Sequence, residues 1–172
     1  FPLLPLMFLM LVPAIGMRLW SQEKRTGTLE LLLTLPITPT EAVLGKFFAS
    51  WAFLLLALAL TFPLWITASM LGSPDHSAIF CGYIGAGLMA GAYLAIGCMT
   101  SAMTRDQVVS FILSFTVCGM TFLAGFMPVV EALQDIFPNN IGFVDFIASF
   151  SVVTHFESFQ QGMMTLGDVV FF

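Results

Sequence analysis

Charge is what this chain has least of. Only 9% of its 172 residues are Asp, Glu, Lys or Arg, against roughly 25% in a soluble domain. So few charges cannot cover a globule with polar surface, so lipid is the solvent for most of its length. Basic residues are the scarcest, five in all: Arg18, Lys24, Arg25, Lys46 and Arg105. They form no patch with interleaved aromatics, and no nucleic-acid partner is expected. The formal charge of −5 is no pointer to a basic partner, because the charges lie on two sides of a membrane. Cysteine is nearly absent too. Cys81, Cys98 and Cys118 fall in apolar runs, and an odd count without paired spacing gives neither a disulfide framework nor a zinc pattern. They read as small buried apolar residues.

Catalytic signatures are missing as well. Gly45-Lys46 is the only Gly-Lys pair, but Thr40 stands where a phosphate-cradling loop needs its first glycine, and Phe47 stands where it needs a hydroxyl for magnesium. The chain is therefore not expected to be an enzyme or to hydrolyse ATP itself. His76 and His155 lie in neither HExxH nor any comparable pattern, and there is no GxSxG. His155 and Glu157 are two apart and diverge on a helix, so His155 reads as a solvated interfacial residue, with a metal or catalytic role as the alternative. No acidic pair lies within a span, which leaves a proton relay unsupported. Ser110 and Ser114 have no histidine at their depth, which argues against an intramembrane hydrolase. No metal is expected.

What is present is apolar. Hydrophobic residues make up 59% of the chain, with nineteen Phe and eleven Met, and the mean hydropathy is +0.99. A hydrocarbon core of roughly 30 Å takes about 20 apolar helical residues. The expectation is an all-α, polytopic transmembrane helical bundle, a single membrane domain over 1–172 with four spans and the start of a fifth. The spans are 1–17, 47–71, 78–99 and 108–130, none carrying a charge, and the last begins over 166–172. The apolar opening has no basic segment before it, so it is not a signal peptide. With an apolar stretch at each end, the sequence reads as a fragment of a longer membrane protein.

All five basic residues fall in 18–46 or in the turn 100–107. The opposite side has Asp75, Glu131, Asp135, Asp145 and Glu157 with no Lys or Arg. The positive-inside rule puts 18–46 and 100–107 in the cytoplasm and 72–77 and 131–165 outside. The apolar run 29–37 is too short to span and carries Glu30. It reads as a surface helix ended by Pro36. Thr38, Pro39 and Glu41 form a capping box that opens the helix running through Lys46 into the next span. Gly82, Gly87 and Gly91 lie among small residues at four-residue spacing, suited to close helix approach, either within one subunit or between subunits. In 131–165, Phe143, Phe146 and Phe150, then Phe156, Phe159 and Met163, recur at helical spacing, with a turn at Pro138-Asn139-Asn140. Short interfacial helices on the outer face are expected there. Thr165 to Asp168 looks like a second capping box.

The one charged island of any size is 18–46, with signs alternating through Glu23-Lys24-Arg25 and then Glu30, and with a flexible joint at Thr26-Gly27-Thr28. It is either a solvated turn or, since long ordered connections are usually functional, a docking surface of mixed charge with a leucine face. The stretch EKRTGTLELLLTLPITPTEAVLGKF resembles the cytoplasmic loop of ABC transporter permeases of the type-2 exporter family, which reads E-x-R-x-G-T-x-E-L-L-L-T-L-P before a Gly-Lys entering the next helix. HFESFQQGMMTLGDVVFF resembles the stretch before the last helix in the gliding-motility and copper-enzyme-maturation branch. The resemblance implies a membrane subunit that moves an unidentified substrate, with ATP and magnesium held by a separate ATP-binding subunit. It also implies a second permease copy or a homologous permease, in the cytoplasmic (inner) membrane of a bacterium. Residues 1–17 would be the family's second span. The coupling role falls on Glu23, Arg25, Gly27, Thr28 and Glu30, which match its pattern. Thr38, Pro39 and Glu41 would transmit the movement into the bilayer. The alternative is a membrane anchor or assembly subunit that transports nothing.

Overall fold

The computed structural model describes residues 3–34, 38–72, 75–136, 142, 151–160 and 166–172. They form helices α1 (Leu4–Gly16), α2 (Arg18–Thr26), α3 (Thr28–Thr34), α4 (Pro39–Ala59), α5 (Phe62–Leu71), α6 (His76–Met103), α7 (Gln107–Leu123), α8 (Met127–Ile136), α9 (Val152–Gln160) and α10 (Leu166–Phe171). Among the described residues, three helical stretches are long and apolar enough to cross a membrane: Leu4–Thr26, Pro39–Leu71 and His76–Met103. The chain is a multi-pass membrane protein built as an all-α bundle.

The bundle is organised on α6, which α1, α2, α4, α7 and α9 all contact. Asp75 starts α6 by accepting the Ser77 N–H at 3.0 Å, an N-cap that satisfies one of the free amides of the first turn. Small residues then make α6 a surface for neighbours. Ala86, Met89, Ala90, Tyr93 and Leu94 are buried in the core with Val12 of α1 and Leu54 of α4. Gly87 and Gly91 lie under Leu55 and Trp51 of α4, and Trp51 Nε1 donates to the Gly87 carbonyl at 2.9 Å. These two glycines pack within the chain. Gly82 is buried as well.

Prolines shape two of the crossing stretches. The second, expected as one helix over 47–71, breaks at Leu60–Thr61. Pro63 offers no N–H, and its ring crowds the carbonyl four residues earlier. The break is satisfied locally: Thr61 Oγ1 donates to Leu58 O at 2.6 Å, and Tyr83 OH on α6 donates to Thr61 O at 3.1 Å. The first stretch has Pro13 inside α1 and a turn at Met17, but its helix continues to Thr26, well past the expected boundary at 17. Only 6% of the second stretch's apolar window is buried, against 56% for α6.

The expected fourth span over 108–130 is a 17-residue helix, α7, ended by a turn at Ala124–Gly125 before α8. At the Asp75 end, α9 packs inward on α6 rather than standing off in the leaflet: Phe156 and Phe159 are fully buried. Phe159 lies against Gly85. His155 is not a freely solvated residue. Its Nδ1 lies 2.6 Å from Asp168 Oδ1, and its ring stacks on Phe171 with centroids 4.2 Å apart. Asp168, read from the sequence as a cap, is buried in that pair. Thr165, Phe143, Phe146, Phe150, Met163, Pro36 and the turn at 138–140 lie outside the described residues.

Candidate coupling site

The charged island folds as an extension of the bundle. A helix that restarts at Arg18 leaves its first four amides without intrahelical acceptors. Two of them, those of Trp20 and Ser21, donate to Ser101 Oγ on α6, each at 3.0 Å. Ser101 Oγ in turn donates to the Met17 carbonyl at 3.0 Å, and the Ser21 hydroxyl donates to that carbonyl as well. A side chain inserted at a helix junction is a recognised cause of a bend. Ser21 and Ser101 are both fully buried. The indole of Trp20 faces the same helix, with Nε1 donating to Cys98 Sγ at 3.2 Å.

Lys46, near the base of α4, closes the other side. Its Nζ donates to the Leu19 carbonyl at 3.1 Å, lies 4.3 Å from the centroid of the Trp20 ring and pairs with Glu23 Oε1. Cation–π contact and ion pairing thus act on one ammonium. The pair is about a quarter exposed on each side, and Glu23 Oε2 is buried without a hydrogen-bond partner. A half-satisfied pair of this kind is weak evidence for stability and better suited to holding register. Lys24, one residue on, donates to the Ala102 carbonyl in the last turn of α6. Between α2, α4 and α6 runs an apolar groove of about 460 Å³ lined by Trp20, Leu44, Phe47 and Cys98 among others.

The joint at Thr26-Gly27-Thr28 is a defined turn. Gly27 ends α2 in the left-handed region at φ 74° and ψ 5°, a conformation that costs L side chains roughly 1–2 kcal/mol. Thr26 Oγ1 donates to Gln22 O at 3.0 Å and lies 2.9 Å from Thr28 Oγ1. α3 then turns away. Glu30 sits in its first turn, where a carboxylate suits the helix dipole, and both Glu30 and Leu31 are exposed, Leu31 at 71%. Arg25, Gly27 and Thr28 are exposed too. α4 opens on a capping box: Glu41 N–H donates to Thr38 Oγ1 at 3.4 Å, and the Thr38 N–H donates to Glu41 Oε2 at 2.9 Å, with Pro39 at the first helical position. Thr38→Ala removes one half of that box and should cost about 1 kcal/mol of local helix stability. Faster amide exchange at 40 and 41, with the rest of α4 unchanged, is the expected readout.

Of the residues singled out from the sequence, Arg25, Gly27, Thr28 and Glu30 are all exposed on either side of the Gly27 turn. Glu23 turns inward to Lys46. Sequence reasoning passed over Ser101 and read Cys98 only as a small buried apolar residue; both carry the attachment to α6. Ser101 fell in what read as a turn; the helix in fact runs on through Met103. Among the described residues no group of three or more His, Cys, Asp or Glu is placed to hold a metal.

Residues 1–166 match the model of a family described as ABC-2 family transporter protein. No curated protein and no solved structure matches the chain.

Proposed function

Since the chain belongs to the ABC-2 transporter family, we propose that it is the permease subunit of an ATP-driven exporter and that α2 and α3 are its docking surface for a separate ATP-binding subunit. One observation carries this reading. A short helix with an exposed carboxylate and an exposed leucine, Glu30 and Leu31, is held off the bundle by the Gly27 turn. Through α2 it is fixed to both α4 and α6. Exposed apolar surface beside charge is what a protein partner reads. Arg25, Thr28 and Glu30 would touch the ATP-binding subunit, Gly27 would set their angle, and Glu23 would hold α2 on α4. The capped start at Thr38, Pro39 and Glu41 would pass movement into α4.

In this reading the Arg18–Lys46 end lies in the cytoplasm, and two permeases, identical or homologous, flank the substrate path. ATP and magnesium belong to the partner. The docked subunit drives transport only if it binds the inward- and outward-open bundles with different affinity. Within the family, we place the chain nearest the gliding-motility and copper-enzyme-maturation permeases on the residues HFESFQQGMMTLGDVVFF.

The test is co-expression with candidate ATP-binding subunits from the same genome, then affinity capture from detergent. Capture of the subunit, together with an ATPase rate that depends on the permease, is the expected result. A permease that inserts but captures no such subunit overturns the docking reading.

A further inference from the structure

We propose that Ser101 and Lys24 are positioning residues that weld the docking segment to α6 through a reciprocal pair of helix caps, so that movement of α2 is delivered to α6 as well as to α4. The proposal rests on the docking reading above for its use, but the weld itself stands on geometry.

Each helix lacks what the other supplies. α2 begins with amides that have no acceptor within their own helix. Ser101 on α6 takes two of them, Trp20 N–H and Ser21 N–H, and returns its own proton to Met17 O. α6 ends with carbonyls that have no donor within their own helix. Lys24 on α2 supplies an ammonium to one of them, Ala102 O, where a cation also suits the negative end of the helix dipole. The two caps sit on adjacent residues of α6. Trp20 Nε1 on Cys98 Sγ, 3.2 Å away, adds a third contact one turn earlier. Caps usually join neighbours in sequence; these bridge about 80 residues, which the separations of 81, 80 and 78 record. Rotating α2 away from α6 would leave the buried amides of Trp20 and Ser21 without partners together, while the exposed Ala102 carbonyl would exchange its Lys24 contact for water. The two helices are therefore expected to move as one body.

The attachment to α4 is of another kind. Lys46 reaches Leu19 O and Glu23 through a long flexible side chain, which follows small displacements; Lys24 on Ala102 O shares that flexibility, so the rigidity of the weld comes from Ser101. The short Ser101 hydroxyl follows none.

The first experiment uses the full-length permease alone in lipid nanodiscs, with hydrogen–deuterium exchange read at single-amide resolution. Ser101→Ala removes only the hydroxyl. Trp20 and Ser21 amides should then exchange about tenfold faster, the equivalent of one net hydrogen bond, while the amides of α1 before Met17 keep their protection. Unchanged exchange at both positions overturns the weld. The second experiment uses the complex with the ATP-binding subunit. A cysteine at the far end of α6, Ser77→Cys, is labelled with an impermeant maleimide before and after trapping with ATP and orthovanadate. Trapping should change the labelling rate in the parent and in Lys24→Arg, which keeps the cap. The change should be lost in Lys24→Met and in Ser101→Ala, although both still capture the ATP-binding subunit. A change that survives in both variants, or is absent in the parent, overturns delivery through α6. Failure of the parent to capture the subunit sinks the docking reading instead and leaves the exchange result to decide the weld.

Discussion

Glu30→Arg is expected to leave the protein inserted and folded but to abolish capture of the ATP-binding subunit. Glu30 lies in the first turn of α3 and is exposed, so nothing in the bundle's core depends on it. Its replacement does place a cation where the helix dipole favours an anion, at a local cost of about 0.3–1 kcal/mol. The larger effect falls on the partner. Losing one member of a desolvated charge pair across an interface costs roughly 2–5 kcal/mol, and reversal adds repulsion. Association should weaken by at least about thirtyfold. The checks are the yield of captured ATP-binding subunit, with size-exclusion behaviour and thermal stability of the permease as controls for folding. A Glu30→Arg permease that co-purifies and supports transport normally removes Glu30 from the docking surface. Leu31→Ala should weaken capture without reversing any charge, which separates the apolar contribution from the electrostatic one.

Gly16→Val and Gly97→Val should have the largest effect on the fold. These glycines meet where α1 crosses α6. A Cβ on Gly16 would lie 2.9 Å from Gly97 Cα and 3.2 Å from its carbonyl carbon, and a Cβ on Gly97 would lie 3.1 Å from Gly16 Cα. The obstacle on each side is backbone, which no rotamer change moves aside. Overpacking a tight contact costs typically 1–3 kcal/mol and more where nothing gives; a branched side chain at this crossing belongs at the upper end, about 3 kcal/mol or above. The consequence goes beyond stability, because Ser101 lies one turn beyond Gly97 and the amides it caps lie one turn beyond Gly16. Parting the crossing draws Ser101 away from Trp20 and Ser21. Loss of monodispersity in detergent and faster exchange along both helices are expected. By contrast, Gly45→Ala, with nothing within 4 Å of the added carbon, should be silent in the same assays. If the valine variants match the parent in both measurements, the crossing is looser than its geometry implies.

Much of the fold was legible because lipid makes it so. Apolar runs stand out by length and composition alone, and among the described residues three of them lie in helical stretches long enough to cross hydrocarbon, the first carried past its uncharged part into the charged island. The capping box at Thr38 was legible for a local reason: its partners lie three residues apart, and both halves form. The four-residue spacing of Gly87 and Gly91 pointed to a packing face, which Leu55 and Trp51 occupy. What the sequence hid was long-range. Gly16 and Gly97 belong to no repeat, since Gly97 stands six residues after Gly91 and ten after Gly87. The importance of each comes from the other, across 81 positions. Ser101 is likewise one serine among many until Met17, Trp20 and Ser21 are brought to it. Glu23 read as a coupling residue and Lys46 as the entry to the next span, and only the approach of α4 to α2 turns them towards each other. The burial of Phe156 and Phe159 was missed because helical aromatic spacing looks the same on a leaflet surface as on a neighbouring helix.

The break at Leu60–Thr61 bears on how force crosses the bilayer. The stretch Pro39–Leu71 is longer than α6 in residues, yet its helix is interrupted by a turn at Leu60–Thr61. That interruption lies about two thirds of the way along the stretch, where Tyr83 donates to the Thr61 carbonyl. α6 has no such joint over its 28 residues, about 42 Å at 1.5 Å per residue. It is the one described helix that could act as an undivided lever from one face to the other, and the serine near its lower end is where a hand would be placed on it.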